Sequence, residues 1–249
     1  ISMAQGVGGF EKAVRFTSAS RALGLGALGF HTYLQSKMIA LESFEAHMLN
    51  IEIFQHLHEE ATRATKWMAK AWGEPEWCKS YGVRNTHLIA VAPNTSSALI
   101  CGGVSQGIEP VVANLYNQPT AAGEIYRVNP VLLELAKKRV GWSDELVKRL
   151  IDSEGSVQGE DWLTAEEKAV FKTAYEIDQM ALVRLAAARQ PYICQAQSLN
   201  LFFDADEDEE YISAVHKEAL LNPNIKSLYY MRTKAGVQAS KGECVACEG

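Results

Sequence analysis

No apolar run in this 249-residue chain approaches the ~20 residues needed to span a bilayer, and the first twenty residues lack the apolar core of a secretion signal. The expected location is the cytoplasm. Basic excess is also missing: 24 lysines and arginines stand against 30 acidic residues, a formal net charge of −6. Surfaces for nucleic acid or anionic membrane need positive charge to displace counterions, so neither partner is expected, and any anionic ligand must be held locally. Cysteine is scarce. Cys78, Cys101, Cys194, Cys244 and Cys247 form an odd set with no dense framework, which fits a reducing compartment with free thiols and one reactive pair. His47, His56, His58, Glu59 and Glu60 share one stretch, but no His-Glu-x-x-His spacing sets two imidazoles a turn apart around a base, so no metal is assigned to them. There is no internal repeat and no low-complexity linker before the last fifteen residues. The chain starts at Ile1, not Met, so a processed, partial or split product is expected.

What is present supports a sizeable core, since 47% of the residues are hydrophobic. The Gly-rich start through Phe10 reads as loop, followed from about Phe16 by a helix capped by Ser18 or Ser20 and reaching Leu34. Gly24, Gly26 and Gly29 weaken that helix and imply close packing on a neighbour. Across 36–72, Ile39, Phe44, Met48, Ile51, Phe54, Leu57 and Ala61 recur at helical steps and predict a long helix with these as its core face. Thr86 to Ala92 reads as a buried strand ending at Pro93, and 117–128 as irregular. Asn129-Pro130 opens a helix to about Val140, Ser143 caps another to about Asp152, and the acidic 153–161 stretch reads as an exposed loop. The capping box Thr164-Ala-Glu-Glu167 starts a helix expected to reach Arg189. Strands at 198–203 and 227–232 flank a helix over 211–221. Apolar strands separated by helices indicate parallel pairing and an α/β class.

Three groups of residues carry chemistry. Pro93-Asn94-Thr95-Ser96-Ser97 follows a strand and precedes an apolar helix, which offers backbone N–H groups and side-chain donors suited to a phosphate. An ordinary helix cap is the plain alternative. Tyr229-Tyr230 lies in a strand-like segment, where successive side chains point to opposite faces; such neighbours are ordinarily one core and one surface aromatic. An electron-relay role requires the rings to meet at a bend. Cys244-Val-Ala-Cys247 sits on a soft tail from about Ala235, which suits thiol–disulfide exchange between an internal disulfide and an outside partner. Zinc would need two further ligands, with Cys194 and His216 the nearest in sequence; an incidental terminal pair is the third option.

In order, Arg21-Ala-Leu-Gly-Leu-Gly26, Gly82-Val-Arg-Asn85, Ala92-Pro-Asn-Thr-Ser-Ser97, Gly107-Ile-Glu-Pro110, Gln197-Ser-Leu-Asn200, Leu228-Tyr-Tyr230 and the terminal Cys-x-x-Cys resemble the C-terminal part of the class I ribonucleotide reductase large subunit. The resemblance runs nearly end to end. It implies the second half of a ten-stranded α/β barrel over residues 1–234 and a flexible redox tail over 235–249. It also implies reduction of ribonucleoside diphosphates at C2′ through a thiyl radical. Pro93, Asn94, Thr95, Ser96 and Ser97 would then hold the substrate phosphates. Tyr229 and Tyr230 would relay the radical, and Cys244 and Cys247 would re-reduce the active-site disulfide and be reduced by thioredoxin or glutaredoxin. Asn94 stands where a hydroxyl residue is frequent, and Leu99 where Gln is common.

The resemblance implies no cofactor bound directly by this chain. A dimetal–tyrosyl radical would reside in the small subunit, and ATP or dNTP effectors would bind an N-terminal region that is not recognisable here. The thiyl cysteine and the substrate-reducing cysteine pair are likewise absent, and Cys78, Cys101 and Cys194 read as buried or incidental thiols. Half a barrel exposes sheet edges and an open core, so the chain is expected to assemble with the N-terminal part of the large subunit. Two other readings remain: part of a cobalamin-dependent reductase, against which the tyrosine pair argues, and a non-catalytic remnant acting as an assembly or binding partner.

Overall fold

The computed structural model describes residues 4–120 and 123–234. Helix α1 (Glu11–Ser20) ends where Arg21 turns left-handed at φ 48°. The expected helix does not continue to Leu34. Residues 22–28 instead run extended, with Leu23 and Leu25 N–H groups donating to the His87 and Leu88 carbonyls at 2.9 and 2.8 Å. The close packing implied by the glycines is real, but it belongs to an extended segment. A Cβ on Gly26 would stand 2.7 Å from the Ala90 carbonyl oxygen.

Helix α2 (Phe30–Ser36) follows, and the predicted 36–72 helix is broken before α3 (Phe44–Trp72), whose N-terminus Ser43 caps by accepting from Ala46 N–H. The buried stripe of α3 runs through Ala46, Asn50, Phe54, Thr65 and Ala69. Phe44 and Met48 lie two residues off that register, about 200° round the helix, and are 78% and 48% exposed rather than in the core. After a 3-10 turn at Glu76–Cys78 and the extended residues 86–92 comes the short α4 (Thr95–Ile100).

The stretch read as irregular is an antiparallel hairpin of β1 (Leu115–Thr120) and β2 (Gly123–Val128), in register from Leu115 opposite Val128. It packs on α5 (Pro130–Arg139) and α6 (Asp144–Asp152), which start at the expected Asn129 and Ser143 caps, through a core of Leu115, Leu132, Leu146 and Leu150. The acidic 153–161 loop is not simply exposed: Val157 is buried, and Glu160 is buried while receiving bonds from Arg149 and the Trp162 indole. The capping box at Thr164 forms, but α7 (Ala165–Val170) is short. Ala174 N–H goes to the distant Val111 carbonyl at 2.8 Å and Asp178 caps a new helix, α8 (Gln179–Arg189), so the expected continuation is broken.

β3 (Leu201–Phe203), α9 (Glu209–Leu221) and β4 (Met231–Thr233) complete the order, and β3 pairs with β4 in parallel. Parallel bridges also join Leu25 to Ile89 and Val91 to Gln197. Four extended segments therefore stand side by side in chain order, with helices in each crossover, and form a parallel α/β wall. The wall does not close into a barrel among the described residues. One core cluster at the wall buries Phe30, Leu34, Leu185 and Phe202, and a second buries Phe54, Ile89, Val91 and Ile108. Arg189, 2% exposed, fixes α8 to the wall by donating to Asn50 Oδ1 at 2.6 Å and Gln197 Oε1 at 2.7 Å.

Candidate functional site

The two sequence-identified groups within the described residues flank the segment 197–203, one on each side of it. Val91 bridges Gln197, so Pro93 stands level with Leu199, and on the other side of that segment Tyr229 N–H donates to the Leu199 carbonyl at 2.9 Å. Loop and tyrosines are thus two strand spacings apart, roughly 10 Å across the sheet.

The loop is held from three directions. Asn94 takes a left-handed backbone (φ 60°, ψ 33°), and its amide nitrogen lies 3.4 Å from the Ala27 carbonyl. Thr95 Oγ1 donates to Gln106 Oε1 at 2.9 Å. Gly107, at φ +47°, lies so close that a Cβ would be 2.7 Å from the Ala92 carbonyl oxygen and 3.3 Å from that of Pro93. Ser96 and Ser97 are exposed, and their hydroxyls make no hydrogen bond among the described residues. Of the four named donors, two brace the loop and two face solvent.

The two tyrosine rings come together. Residues 225–230 lie outside any regular strand before β4 begins, and the rings of Tyr229 and Tyr230 approach to 4.1 Å between centroids at an interplanar angle of 51°. They are tilted, not parallel, and both are partly exposed, at 50% and 39%. The Tyr230 phenol raises the Tyr229 pKa, first by hydrogen bonding and then by charge repulsion. The Arg232 guanidinium lies 5.3 Å from the Tyr230 ring centroid, in cation–π range.

Beneath the pair lies a polar chain to which the sequence reading gave no role. Tyr230 N–H donates to Asn200 Oδ1 at 3.0 Å, and Asn200 Nδ2 donates to Glu109 Oε1 at 2.8 Å. Asn200 and Glu109 are 3% and 8% exposed. Burial pushes the Glu109 carboxyl up to about 7, against the opposing pull of the Arg232 charge and the Asn200 bond. The available signal was an amide amid Leu199, Leu201, Phe202 and Phe203, because a polar residue in such a strand needs a partner.

Cys244 and Cys247 lie outside the described residues. Cys78 is buried; Cys194 is exposed, and its sulfur receives N–H bonds from Leu88 and Ile89 at 3.1 Å, which ties two wall segments together. No cluster of three or more His, Cys, Asp or Glu suited to a metal occurs among the described residues. No helix among them is long and apolar enough to cross a membrane.

The family model described as "Ribonucleotide reductase, barrel domain" matches residues 8–80 and 70–231, nearly the whole described chain. The chain belongs to the ribonucleotide reductase large-subunit family. The ribonucleoside-diphosphate reductase large subunit of Invertebrate iridescent virus 3 is 38% identical over 256 residues, covering 96% of this chain and 40% of that protein. That of Caenorhabditis elegans is 29% identical over 261 residues, covering 92% and 33%. Among solved structures, the class Id ribonucleotide reductase alpha subunit of Actinobacillus ureae superposes with a TM-score of 0.85 at 36% identity, covering 96% of this chain and 44% of that one. The chain thus spans less than half the length of the curated relatives it matches.

Within this reductase portion, other motifs of the resemblance have structural duties. Asn85 donates to the Arg21 carbonyl at 2.7 Å and accepts from Thr65 Oγ1 at 2.8 Å; Arg84 holds the Trp72 and Gly73 carbonyls at the end of α3. Gln197 receives Arg189 and donates to the Ala186 carbonyl.

Proposed function

We infer that this chain is the C-terminal portion of a ribonucleoside-diphosphate reductase large subunit and works with the N-terminal part of that subunit and a radical-generating small subunit. Residues 1–234 form the barrel portion and 235–249 the redox tail. The observation that carries the reading is the approach of two sequence-adjacent phenols to 4.1 Å beside an exposed hydroxyl loop. Family membership supplies the chemistry they serve.

In this reading, hydrogen-atom exchange moves the radical across the pair: one tyrosine's phenoxyl oxygen takes the proton and electron of the other's O–H, leaving a phenol and a new phenoxyl. No species diffuses and no charge is left behind. The pair then draws a hydrogen atom from a cysteine of the N-terminal part, and the resulting thiyl radical opens the reaction at C2′. Ser96 and Ser97 donate to the substrate phosphates, with Pro93, Asn94 and Thr95 shaping the loop. Reduction of the nucleotide converts an active-site dithiol to a disulfide. The Cys244–Cys247 dithiol exchanges with it and is in turn reduced by thioredoxin or glutaredoxin. The dimetal–tyrosyl radical belongs to the small subunit and the ATP or dNTP effectors to the N-terminal region. Both partners and the cytoplasmic location rest on the family.

The test is reconstitution: this chain is combined with the N-terminal part of a large subunit, a small subunit and a thioredoxin system, and 2′-deoxynucleoside diphosphate is measured. Product that depends on this chain supports the reading; equal product without it sinks it.

A further inference from the structure

One short segment, Gly107-Ile-Glu-Pro110, touches both halves of the site. Its Gly107 lies under the Ala92 and Pro93 carbonyls, its Gly107 carbonyl accepts from Phe30 N–H at 3.2 Å, and its Glu109 side chain reaches away from the loop to Asn200. Asn200 is saturated in a specific sense. Its oxygen takes the Tyr230 N–H and its nitrogen goes to Glu109, so the amide cannot rotate without breaking both bonds. Tyr230 immediately precedes β4, which begins at Met231. The Tyr230 N–H, together with the Tyr229 N–H to Leu199 and the Tyr230 carbonyl receiving Leu201 N–H, sets the peptide plane between the two rings. Both rings are partly exposed, so burial alone does not hold them, and that peptide plane sets the direction from which they approach to 4.1 Å.

We propose that Glu109 is a positioning residue for the tyrosine pair: its buried carboxyl locks the Asn200 amide, and the locked amide fixes the backbone of Tyr230 so that the two phenols stay within transfer distance. This inference rests on the relay reading above. Glu109 touches neither substrate nor reacting atoms. The charged group facing it is Arg232 on β4, which stabilises the carboxylate form while its guanidinium sits by the Tyr230 ring. The loop contacts made by Gln106 and Gly107 do not use the Glu109 side chain, so radical passage and phosphate binding separate at this residue.

In the assembled reductase, Glu109→Ala is expected to lower kcat at least tenfold while the nucleotide KM stays within about twofold. Glu109→Gln keeps an oxygen acceptor for Asn200 and loses only the charge-assisted part of the bond, so kcat is expected within about threefold of the parent. Asn200→Ala is expected to match Glu109→Ala. The double variant Glu109→Ala/Asn200→Ala is expected to fall no further than the worse single, because both remove one link. Near-ultraviolet circular dichroism checks that each variant folds, and the Gln variant keeps the test usable if the Ala variant does not. Parent-like kcat in Glu109→Ala, a Gln variant as impaired as Ala, multiplicative losses in the double variant, or a KM rise matching the kcat loss would each overturn the proposal. Tyr230→Phe, run alongside, separates the two layers. If it turns over normally, the relay reading itself fails; if it is inactive while Glu109→Ala is normal, only the positioning role is lost.

Discussion

The Tyr229 and Tyr230 rings stand 4.1 Å apart although a regular strand would send neighbouring side chains to opposite faces, because both residues precede β4 and lie outside any regular strand. Removing one hydroxyl therefore interrupts the chain of hydrogen-atom donors without emptying the space it filled. Tyr230→Phe in the assembled reductase is expected to abolish multiple turnover, with loss of at least a hundredfold, while nucleotide affinity stays near normal. Steady-state product assays and equilibrium binding measure the two separately. Unchanged turnover would remove the relay role.

The loop makes a contrast within four residues. Ser96 and Ser97 are exposed and spare, whereas Thr95 is tied to Gln106. Replacing both serines with alanine is expected to weaken substrate binding by ~1–3 kcal/mol through lost charge-assisted hydrogen bonds, with little change in thermal stability. Thr95→Val is expected to do the reverse, costing about 1 kcal/mol of stability with a smaller effect on affinity. Titration calorimetry and thermal unfolding report the two quantities, and equal affinity in the double serine variant would put the phosphate elsewhere.

For the tail, Cys244→Ser is expected to leave a prereduced enzyme about one catalytic cycle and to eliminate thioredoxin-supported turnover, because one thiol cannot exchange twice. A single-turnover assay set against a continuous one distinguishes these. Full thioredoxin-dependent activity in the variant would refute the assignment.

Much of this architecture was legible because local signals and tertiary packing agree. Ser143, Asn129 and Thr164 cap helices where their hydroxyl or amide chemistry says they should, and the apolar runs at 86–92 and 198–203 enter a parallel wall. The errors fall where a distant partner decides. Residues 22–28 carry no strand pattern and become extended because Leu25 pairs with Ile89. The helix expected from Thr164 to Arg189 breaks because Ala174 N–H finds Val111. At the site, the loop and tyrosines were visible as residue types in order. Their bracing was not, because Glu109, Asn200 and Tyr230 lie far apart in the chain and meet only through the fold.

Two buried groups titrate in opposite senses, and their difference gives a pH test. His31 is fully buried, its Nδ1 accepts from Val111 N–H at 3.0 Å, and its Nε2 makes no hydrogen bond among the described residues. Burial lowers its pKa from 6.5 to about 4, opposed weakly by the Val170 carbonyl. Between those values the unfolded chain binds more protons, so stability is lost as pH falls from about 6.5 to about 4. Glu109 behaves oppositely. With its pKa raised from 4.5 to about 7, the folded state binds more protons between those values, and stability is lost as pH rises through that window. Each effect reaches up to ~3 kcal/mol when fully developed, and in the overlap the slopes oppose and largely cancel. His31→Asn, which retains an acceptor for Val111, is expected to leave a stability profile that falls steadily from about pH 4.5 to about pH 7. Glu109→Gln is expected to leave one that climbs from about pH 4 to about pH 6.5 and then levels. Denaturant unfolding of the assembled protein across that range measures both, and parallel profiles for parent and variants would show that neither group titrates as its burial requires.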